Sequence, residues 1–301
     1  MPSSSDRRFA LLIQCAKLYF EQHLSQEDIA EALKISKASV WRLLREAKEK
    51  AHIEVKFDME HLKIHDLESQ LCKKYNLRAL RILPPQGEQH HNLSEKIGKF
   101  AIDFLDDILE EKSKSTIALS GGSTIFHMVE QATSRPRNIQ IFPLVMPPRS
   151  MELTRIDASV SVTILWAKSA PLAKGYVPGF SSFSQKQTQA RIEEIRSRIL
   201  DSVNLIFTSI GLPQSSKDGR QPNDSVGNIN IINYNDIAEP LDSCVYGLSL
   251  EDLHILSVRE NTLVIGMGGS VEKVQAIRAL LCHRIVNALI TDYLCAYDLL
   301  F

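Results

Sequence analysis

Two short glycine-containing segments combine residue types that bind anions. Residues 120–124 (SGGST) and residues 268–273 (GGSVEK) each follow an apolar run typical of a β-strand. Glycine lets the backbone approach a ligand closely, successive N–H groups at the start of a helix attract negative charge, and hydroxyls add donors. Lys273 lies one helical turn into the second segment, where its ammonium group can reach the same anion. The candidate binding residues are Gly121, Gly122, Ser123, Thr124, Gly268, Gly269 and Lys273.

Each segment also has a purely structural explanation, since glycine permits a tight turn between a strand and a helix. Neither segment matches the GxGxxG dinucleotide fingerprint or the GxxxxGKS/T phosphate loop, so NAD and ATP are poor candidates. Asp292 ends another apolar run and could either bond a sugar hydroxyl or cap the last helix. The sequence shows no GxSxG elbow, and His61 and His65 are only two of the ligands that a metal needs. It therefore predicts no catalytic residue, no metal and no cofactor.

A basic segment near the N-terminus could bind nucleic acid. Residues 34–50 hold six basic and two acidic side chains. A capping-box pattern starts at Ser25, ahead of a helix over residues 26–33, and Ser36 can cap a second helix over residues 37–50. Two helices so closely spaced cross steeply, as in a helix-turn-helix, whose second helix enters the major groove of DNA. A plain helical hairpin with a charged surface is the alternative.

The second of these helices presents polar residues opposite its apolar face. Arginine can bond guanine bidentately, and serine and lysine can reach base edges or phosphates. Trp41 could contact DNA or instead pack against a neighbouring element. Helix-turn-helix turns usually carry glycine where Lys34 stands, so Lys34 must adopt a left-handed backbone conformation. The candidate DNA contacts are Lys37, Ser39, Trp41, Arg42 and Arg45, and residues 53–57 could add a short wing strand.

From about residue 66, apolar strands alternate with amphipathic helices, which predicts an α/β fold with a doubly wound, mostly parallel sheet. In such sheets ligands bind outside the carboxyl ends of the strands, where both glycine segments should lie. We predict a helix-turn-helix DNA-binding domain over residues 1–57, a linker over 58–65, and an effector-binding and oligomerisation domain over 66–301. The predicted elements include a helix over 66–75, a strand over 162–166, and a hairpin between residues 227–232 and 244–249.

Composition narrows the class of protein. The chain has 301 residues, of which 44% are hydrophobic and 24% charged, typical of a folded protein with about two domains. No apolar window approaches the ~18 residues that span a bilayer, and the first residues lack the apolar region of a secretion signal. Five scattered cysteines favour reduced thiols over a disulfide framework. We expect a cytoplasmic protein with no membrane partner.

Several segments, taken together and in order, resemble a known family. The segment SQEDIAEALKISKASVWRLLREAKEKAHIEVKF resembles the head of the SorC-type sugar-responsive bacterial transcription regulators. STIALSGGST, SLEDL, LVIGMGGSVEKVQAIRALL and VNALITD resemble that family's effector-binding domain. The resemblance implies a body similar in fold to phosphosugar isomerases and glucosamine-phosphate deaminases, a sugar or sugar-phosphate effector, and assembly as homodimers or homotetramers. Carried over by residue, it implies an effector site with Gly121, Gly122, Ser123, Thr124, Lys273 and Asp292.

Two segments depart from the family pattern. Residues 146–148 (MPP) replace a glycine-rich turn, and residues 231–235 (IINYN) stand where a segment like Gly-Arg-Phe-Phe-Asp is expected. A charged ligand contact can be lost at the second segment, and the apolar pair at 145–146 offers no lysine for a Schiff base.

We therefore expect a non-enzymatic regulator that binds double-stranded operator DNA under the control of a sugar or sugar phosphate. One alternative is a phosphosugar isomerase or deaminase-like enzyme with an appended DNA-binding head. Another alternative is that residues 66–301 bind no effector and only hold the DNA-binding domains together as an oligomer.

Overall fold

The computed structural model describes residues 4–20, 22, 24–49, 59–85, 92–112, 114–146, 154–177, 185–214, 224–230, 232–241 and 247–301. The chain divides into two compact units, Met1–Met59 and Glu60–Phe301, called here the head and the body. The helix predicted over 66–75 begins earlier, at Met59, and continues to Tyr75, so residues 59–65 of the predicted linker are helical. The apolar face of this helix starts earlier than predicted, since Ile64 is buried. The predicted wing strand lies outside the described residues.

The head contains three helices, α1 (Ser4–Phe20), α2 (Gln26–Leu33) and α3 (Lys37–Glu49). The predicted capping box is present, since the Ser25 hydroxyl accepts from the Asp28 N–H while the Asp28 carboxylate accepts from the Ser25 N–H. Lys34 has the predicted left-handed conformation, with φ 53° and ψ 44°. The three helices pack on a common core, whose buried members are Leu12, Cys15, Ile29, Val40, Leu43, Leu44 and Ala47. The three helices and the tight turn at Lys34 are consistent with the predicted helix-turn-helix.

The body is a mostly parallel α/β sheet, as predicted. Its strands are β1 (Ala79–Leu83), β2 (Ser115–Leu119), β3 (Ile139–Pro143), β4 (Lys174–Gly175), β5 (Leu205–Gly211), β6 (Gly227–Ile229), β7 (Ile232–Tyr234), β8 (Leu263–Met267) and β9 (Ala288–Asp292). Its helices are α4 (Met59–Tyr75), α5 (Leu93–Glu111), α6 (Ser123–Glu130), α7 (Ala158–Ser169), α8 (Gln185–Ser202), α9 (Leu250–Val258), α10 (Val274–Cys282) and α11 (Tyr293–Leu300), with a 3-10 turn at Val271–Lys273.

The strand order is β1-β9-β8-β5-β2-β3-β4, and every neighbouring pair on this path is parallel. Residues from α4, α8, α9, α10 and α11 form one buried apolar cluster. Residues from α5, α6 and α7 form a second cluster. The helices therefore cover both faces of the sheet, which explains why its strands are almost uniformly apolar.

Two predicted elements are wrong. Residues 162–166 form part of α7 rather than a strand, with Val162 and Leu165 buried three residues apart on one helical face. A helix is required here because the parallel pair β3 and β4 needs a crossover connection. The hairpin joins β6 to β7, with Ile229 opposite Ile232. Residues 244–246 of the predicted partner strand lie outside the described residues. Of that predicted partner strand, Gly247 forms an antiparallel bridge with Val145.

A buried ion pair joins α5 to the entry of β3. The Arg137 side chain is 2% exposed and donates two hydrogen bonds to Asp106, at 2.8 and 2.9 Å. Arg135 contacts the same carboxylate at 2.9 Å. Burial by itself raises the pKa of Asp106, but the bonds from Arg137 and Arg135 outweigh it, so the pKa lies below its ordinary value.

We predict that this ion pair makes the fold sensitive to acid. Because the folded pKa of Asp106 lies below the unfolded value of about 3.9, the pair stabilises the fold above that pH. This contribution is lost as the pH falls through the folded pKa. Asp106→Asn should lower the free energy of unfolding by about 3 kcal/mol at pH 7 and flatten its dependence on pH below about 4. Urea unfolding at pH 7 and pH 3 measures both effects. Asp103→Asn, which breaks an exposed pair with Lys99, should cost less than about 0.5 kcal/mol.

The left-handed turn of the head gives a second prediction. Lys34→Gly should stabilise the pairing of α2 with α3 by about 1 kcal/mol, because glycine has no Cβ to disfavour this conformation. Amides of α2 and α3 in the full chain should then exchange with solvent about fivefold more slowly. Lys34→Ala keeps the Cβ and removes only the charge, so its exchange should match the wild type. Equal slowing by both variants would assign the effect to the lost charge instead.

Candidate functional site

Both glycine segments lie at the same edge of the sheet. β2 and β8 flank β5, and all three strands run parallel. Residues 120–124 follow β2 and residues 268–273 follow β8, so both segments stand at the carboxyl ends of their strands. The topology therefore places them on either side of the end of β5, where ligands bind in folds of this type.

The first segment packs tightly against two neighbours. The Gly122 N–H donates to the Ile156 carbonyl at 2.8 Å. A Cβ on Gly121 would lie 2.8 Å from the same carbonyl, and one on Gly122 would lie 2.9 Å from the Ser209 hydroxyl. Gly122 also has φ 112°, which favours glycine. The structural explanation thus accounts for both glycines, and the Gly122 N–H already has an acceptor within the chain.

Ser120 joins the first segment to β5. Its Oγ donates to the Gly121 carbonyl at 2.8 Å and accepts from the Ser209 N–H at 2.9 Å. Ser120 is 1% exposed. This hydroxyl therefore fixes the position of the turn between β2 and α6 relative to the end of β5.

The second segment is tied to Asp292. The Ser270 N–H donates to Asp292 Oδ2 at 2.7 Å, and a Cβ on Gly269 would collide with this oxygen. Asp292 Oδ1 accepts from the N–H groups of Leu294 and Cys295 at 3.1 and 3.2 Å. Of the two roles open to Asp292 from the sequence, the structure shows the cap of α11. The same carboxylate also fixes the backbone that leads to Lys273.

A cleft of about 530 Å³ opens between these segments. Of the candidate effector residues, Thr124, Gly269 and Lys273 line it together, whereas Gly121, Gly122, Ser123, Gly268 and Asp292 are not in its wall. The full lining is Asn92, Leu93, Ser94, Ile97, Thr124, Gly269, Ser270, Val271, Glu272 and Lys273. The four residues at the start of α5 were not predicted. Because α5 follows the parallel strand β1, its N-terminus must lie at the edge of the sheet where the strands have their carboxyl ends. This topology could have predicted that the start of α5 lines the cleft.

Lys273 is the cation in the lining of this cleft. Its side chain is half-buried, and burial lowers its pKa, while nearby carboxylates of Glu272 and Asp292 oppose that shift. A buried ammonium group gains from an anionic ligand that replaces its lost hydration. The first turn of α6, which contains Thr124, lines the cleft together with Lys273. The arrangement can therefore hold a ligand that carries both negative charge and hydroxyl groups.

The outward face of α3 carries the candidate DNA contacts. Trp41 is 50% exposed, and the Arg45 guanidinium lies 4.8 Å above its ring. Arg42 donates to the Ala38 carbonyl at 3.3 Å and to the Ser39 hydroxyl at 3.4 Å. Lys37 pairs with Glu27 of α2. Trp41 thus packs against the Arg45 guanidinium and remains half exposed. The hydrogen bonds of Arg42 to Ala38 and Ser39 keep its side chain along the surface of α3.

Across the described ranges, no group of three or more His, Cys, Asp or Glu side chains is placed to hold a metal ion. Within the same ranges, no helix has both the length and the apolar character needed to cross a membrane.

Comparison with known proteins identifies the family of the chain. The family model described as "Putative sugar-binding domain" matches residues 60–219, more than half of the chain. The sequence is 23% identical to the sorbitol operon regulator of Klebsiella pneumoniae, with 97% of each chain covered. It is 22% identical to the deoxyribonucleoside regulator of Bacillus subtilis strain 168, with 94% of each chain covered. This chain belongs to the SorC family. The crystal structure of full-length SorC from Klebsiella pneumoniae has the same fold, with a TM-score of 0.65, 21% identity, and 97% of this chain and 99% of that chain covered.

Membership of the SorC family makes the chain a sugar-responsive, DNA-binding transcription regulator. The matched region begins at residue 60, where the body begins, and includes the first glycine segment. The two relatives are named as regulators, and each matches this chain over 94% or more of its own length, which favours this function over the isomerase or deaminase alternative.

Proposed function

We propose that the cleft between the two glycine segments binds a sugar phosphate, and that this ligand controls operator binding by α3. The observation that carries the proposal is the meeting of Thr124 with Gly269 and Lys273 in one cleft of about 530 Å³. Thr124 is separated from Gly269 and Lys273 by well over a hundred positions in the sequence, and the parallel sheet brings them together. The cleft has the volume that small-molecule sites usually have.

The charge of the cleft favours a phosphate over a neutral sugar alone. Lys273 supplies one positive charge, and the helix starts at Thr124 and Leu93 contribute positive dipole ends. The hydroxyls of Thr124 and Ser94 and the carboxylate of Glu272 line the same space and suit the hydroxyls of a sugar. Asp292 acts as a positioning residue, because its carboxylate fixes Ser270 and the path of the backbone to Lys273.

The cleft serves binding rather than catalysis in this proposal. A general base needs an oxygen or nitrogen that can reach a substrate proton. Both carboxylate oxygens of Asp292 accept backbone N–H groups. Glu272 is exposed at the rim. The departure at residues 146–148 falls at the end of the strand next to β2, and its two prolines lie outside the described residues.

Operator binding uses the polar face of α3, with Lys37, Ser39, Trp41, Arg42 and Arg45 as the proposed contacts. One head offers few base contacts, and pairing two heads lets the protein read two half-sites. The proposed assembly is a homodimer or homotetramer, in which the effector favours one arrangement of the heads over another. Such a regulator acts where the DNA is, so we place it in the cytoplasm.

The operator face gives a direct prediction. Arg42→Ala should weaken specific operator binding by about 1–3 kcal/mol and relax the preference for one base, because a bidentate contact is lost. Fluorescence anisotropy with the operator and with a scrambled duplex, over a salt series, measures both effects. Lys17→Ala is the matched control, since it removes an exposed positive charge from α1 rather than from α3. Unchanged operator affinity in folded Arg42→Ala would remove Arg42 from the interface.

The effector cleft gives a further prediction. A panel of hexose and pentose phosphates, with their parent sugars, should include a phosphate that raises the melting temperature of the full chain. Lys273→Ala should weaken that binding by about 1.5–3 kcal/mol, since a hydrogen bond to a charged group is lost, while operator binding without effector survives. Lys114→Ala is the matched control, because Lys114 lies before β2 at the opposite edge of the sheet.

Paired operator titrations of both variants, with and without the active phosphate, complete the test. If Lys273→Ala responds at the same effector concentration as wild type, the cleft is not the effector site. Loss of operator binding without effector would show that Lys273 supports assembly or folding instead.

A further inference from the structure

The last turn of α11 is bonded to the last turn of α4. The Lys74 ammonium donates to the carbonyls of Leu299 and Leu300, at 3.1 and 2.8 Å. The Tyr75 hydroxyl donates to the same Leu299 carbonyl at 2.8 Å. The Lys74 ammonium also lies 5.2 Å from the centroid of the Tyr75 ring. We call Lys74 and Tyr75, together with the two carbonyls that they contact, the α4–α11 joint.

The joint satisfies groups that α11 alone would leave open. The last four carbonyls of an α-helix have no N–H partner within the helix, and Leu299 and Leu300 are such carbonyls in α11. Arg278 of α10 donates to a third, the Asp298 carbonyl, at 2.8 Å. The end of α11 is thus held by side chains of α4 and α10. A shift of α11 must therefore either move α4 or break the bonds of the joint.

The first turn of α11 is bonded to the wall of the effector cleft. Asp292 Oδ2 accepts from the N–H of Ser270, which lines the cleft, at 2.7 Å. Asp292 Oδ1 accepts from the Leu294 N–H, in the first turn of α11, at 3.1 Å. Because closely packed elements transmit strain, a change in the position of the second glycine segment acts on the whole of this eight-residue helix.

The helix α4 leads from the body to the head. Its first residue, Met59, is also the last residue of the head. The helix has 17 residues and is about 25 Å long. Its buried residues are Ile64, Leu67 and Leu71, and apolar contacts of this kind let packed helices slide by small amounts. A movement of α4 at the joint therefore reaches the point where the head is attached.

We propose that the α4–α11 joint transmits effector binding from the cleft to the head. The inference rests on the proposed function, because it names the path by which the ligand of that cleft controls operator binding by α3. Effector binding shifts the second glycine segment, α11 follows through Asp292, and the joint passes the shift to α4. Lys74 and Tyr75 are positioning residues, since neither is in the wall of the cleft and neither belongs to the head.

The coupling between the two ligands is the quantity that tests the joint. The coupling factor is the ratio of the operator dissociation constants with and without a saturating phosphate. Fluorescence anisotropy of the full chain measures it, with a panel of hexose and pentose phosphates and inorganic phosphate as probes. In the wild type the factor should lie between about 5 and 150, the usual range for allosteric proteins. By reciprocity, the operator should change the affinity for the same phosphate by this factor.

Two variants break the joint outside the cleft and the head. Tyr75→Phe removes only the hydroxyl that contacts Leu299 and should lower the coupling factor about threefold. Lys74→Met keeps the length of the side chain, removes both of its bonds, and should lower the factor further. The double variant should have a coupling factor close to unity. Its affinities for the phosphate alone and for the operator alone should stay within about twofold of wild type.

Each variant has a matched control. Lys73→Met removes the same charge from the neighbouring exposed position in the last turn of α4. Tyr297→Phe removes a hydroxyl from α11 at a residue that is 47% exposed. Both controls should keep the wild-type coupling factor.

Hydrogen exchange follows the same path without any effector. Because coupling is reciprocal, operator binding to the wild type should change the exchange rates of the Ser270 and Leu294 amides at least about threefold. In the double variant the operator should leave both rates unchanged. Lys73→Met should behave as the wild type does.

The outcomes separate this inference from the proposed function. If the double variant keeps the wild-type coupling factor and the operator-induced change in exchange, the joint is overturned and the sugar-phosphate regulator stands. If no phosphate changes operator binding by the wild type, both proposals are overturned. Equal loss of coupling in the controls, or a matching loss of either separate affinity, would give Lys74 and Tyr75 a merely structural role and overturn the joint. Loss of coupling in the joint variants alone, with both separate affinities kept, supports it.

Discussion

The carboxylate of Asp292 connects three parts of the body that the chain separates. It ends β9, caps the first turn of α11, and holds the Ser270 N–H of the second glycine segment at 2.7 Å. Gly269 has no side chain because a Cβ would collide with this carboxylate. Ser270 has φ 85°, a conformation that needs such a fixed partner. The position of Lys273, and with it the charge of the cleft, follows from this one group.

The edge of the sheet shows what the sequence could predict. Parallel strands with glycines at their carboxyl ends predicted that the two segments would approach each other, and Thr124 and Lys273 do share a cleft. The sequence could not predict that the Ile156 carbonyl accepts from Gly122, because this contact depends on the path of a loop. The choice between the two roles of Asp292 likewise depends on the path of the backbone around it, which the sequence does not predict.

The errors in the fold have a physical cause. The segment VTILW is rich in β-branched and large apolar residues, and such a short run does not distinguish a strand from a buried helix. The segment is a helix because the parallel strands β3 and β4 need a crossover connection. That need was hidden in the sequence, because β4 has only two residues, Lys174 and Gly175. In the head, by contrast, local chemistry was sufficient. The capping box at Ser25 and the left-handed Lys34 both follow from neighbouring residues alone.

The hydrogen bond from the Gly122 N–H to the Ile156 carbonyl means that a donor of the first glycine turn is already used within the chain. A carbonyl oxygen already occupies the direction in which that N–H group points. An acceptor on a ligand would have to displace the Ile156 carbonyl to use this N–H. The binding of that ligand would be weakened by the free energy of the lost hydrogen bond, about 0.5–1.5 kcal/mol. A ligand that leaves the contact in place avoids this competition. A ligand of the proposed cleft therefore gains the Gly122 N–H as a donor only by displacing the Ile156 carbonyl, whatever its charge.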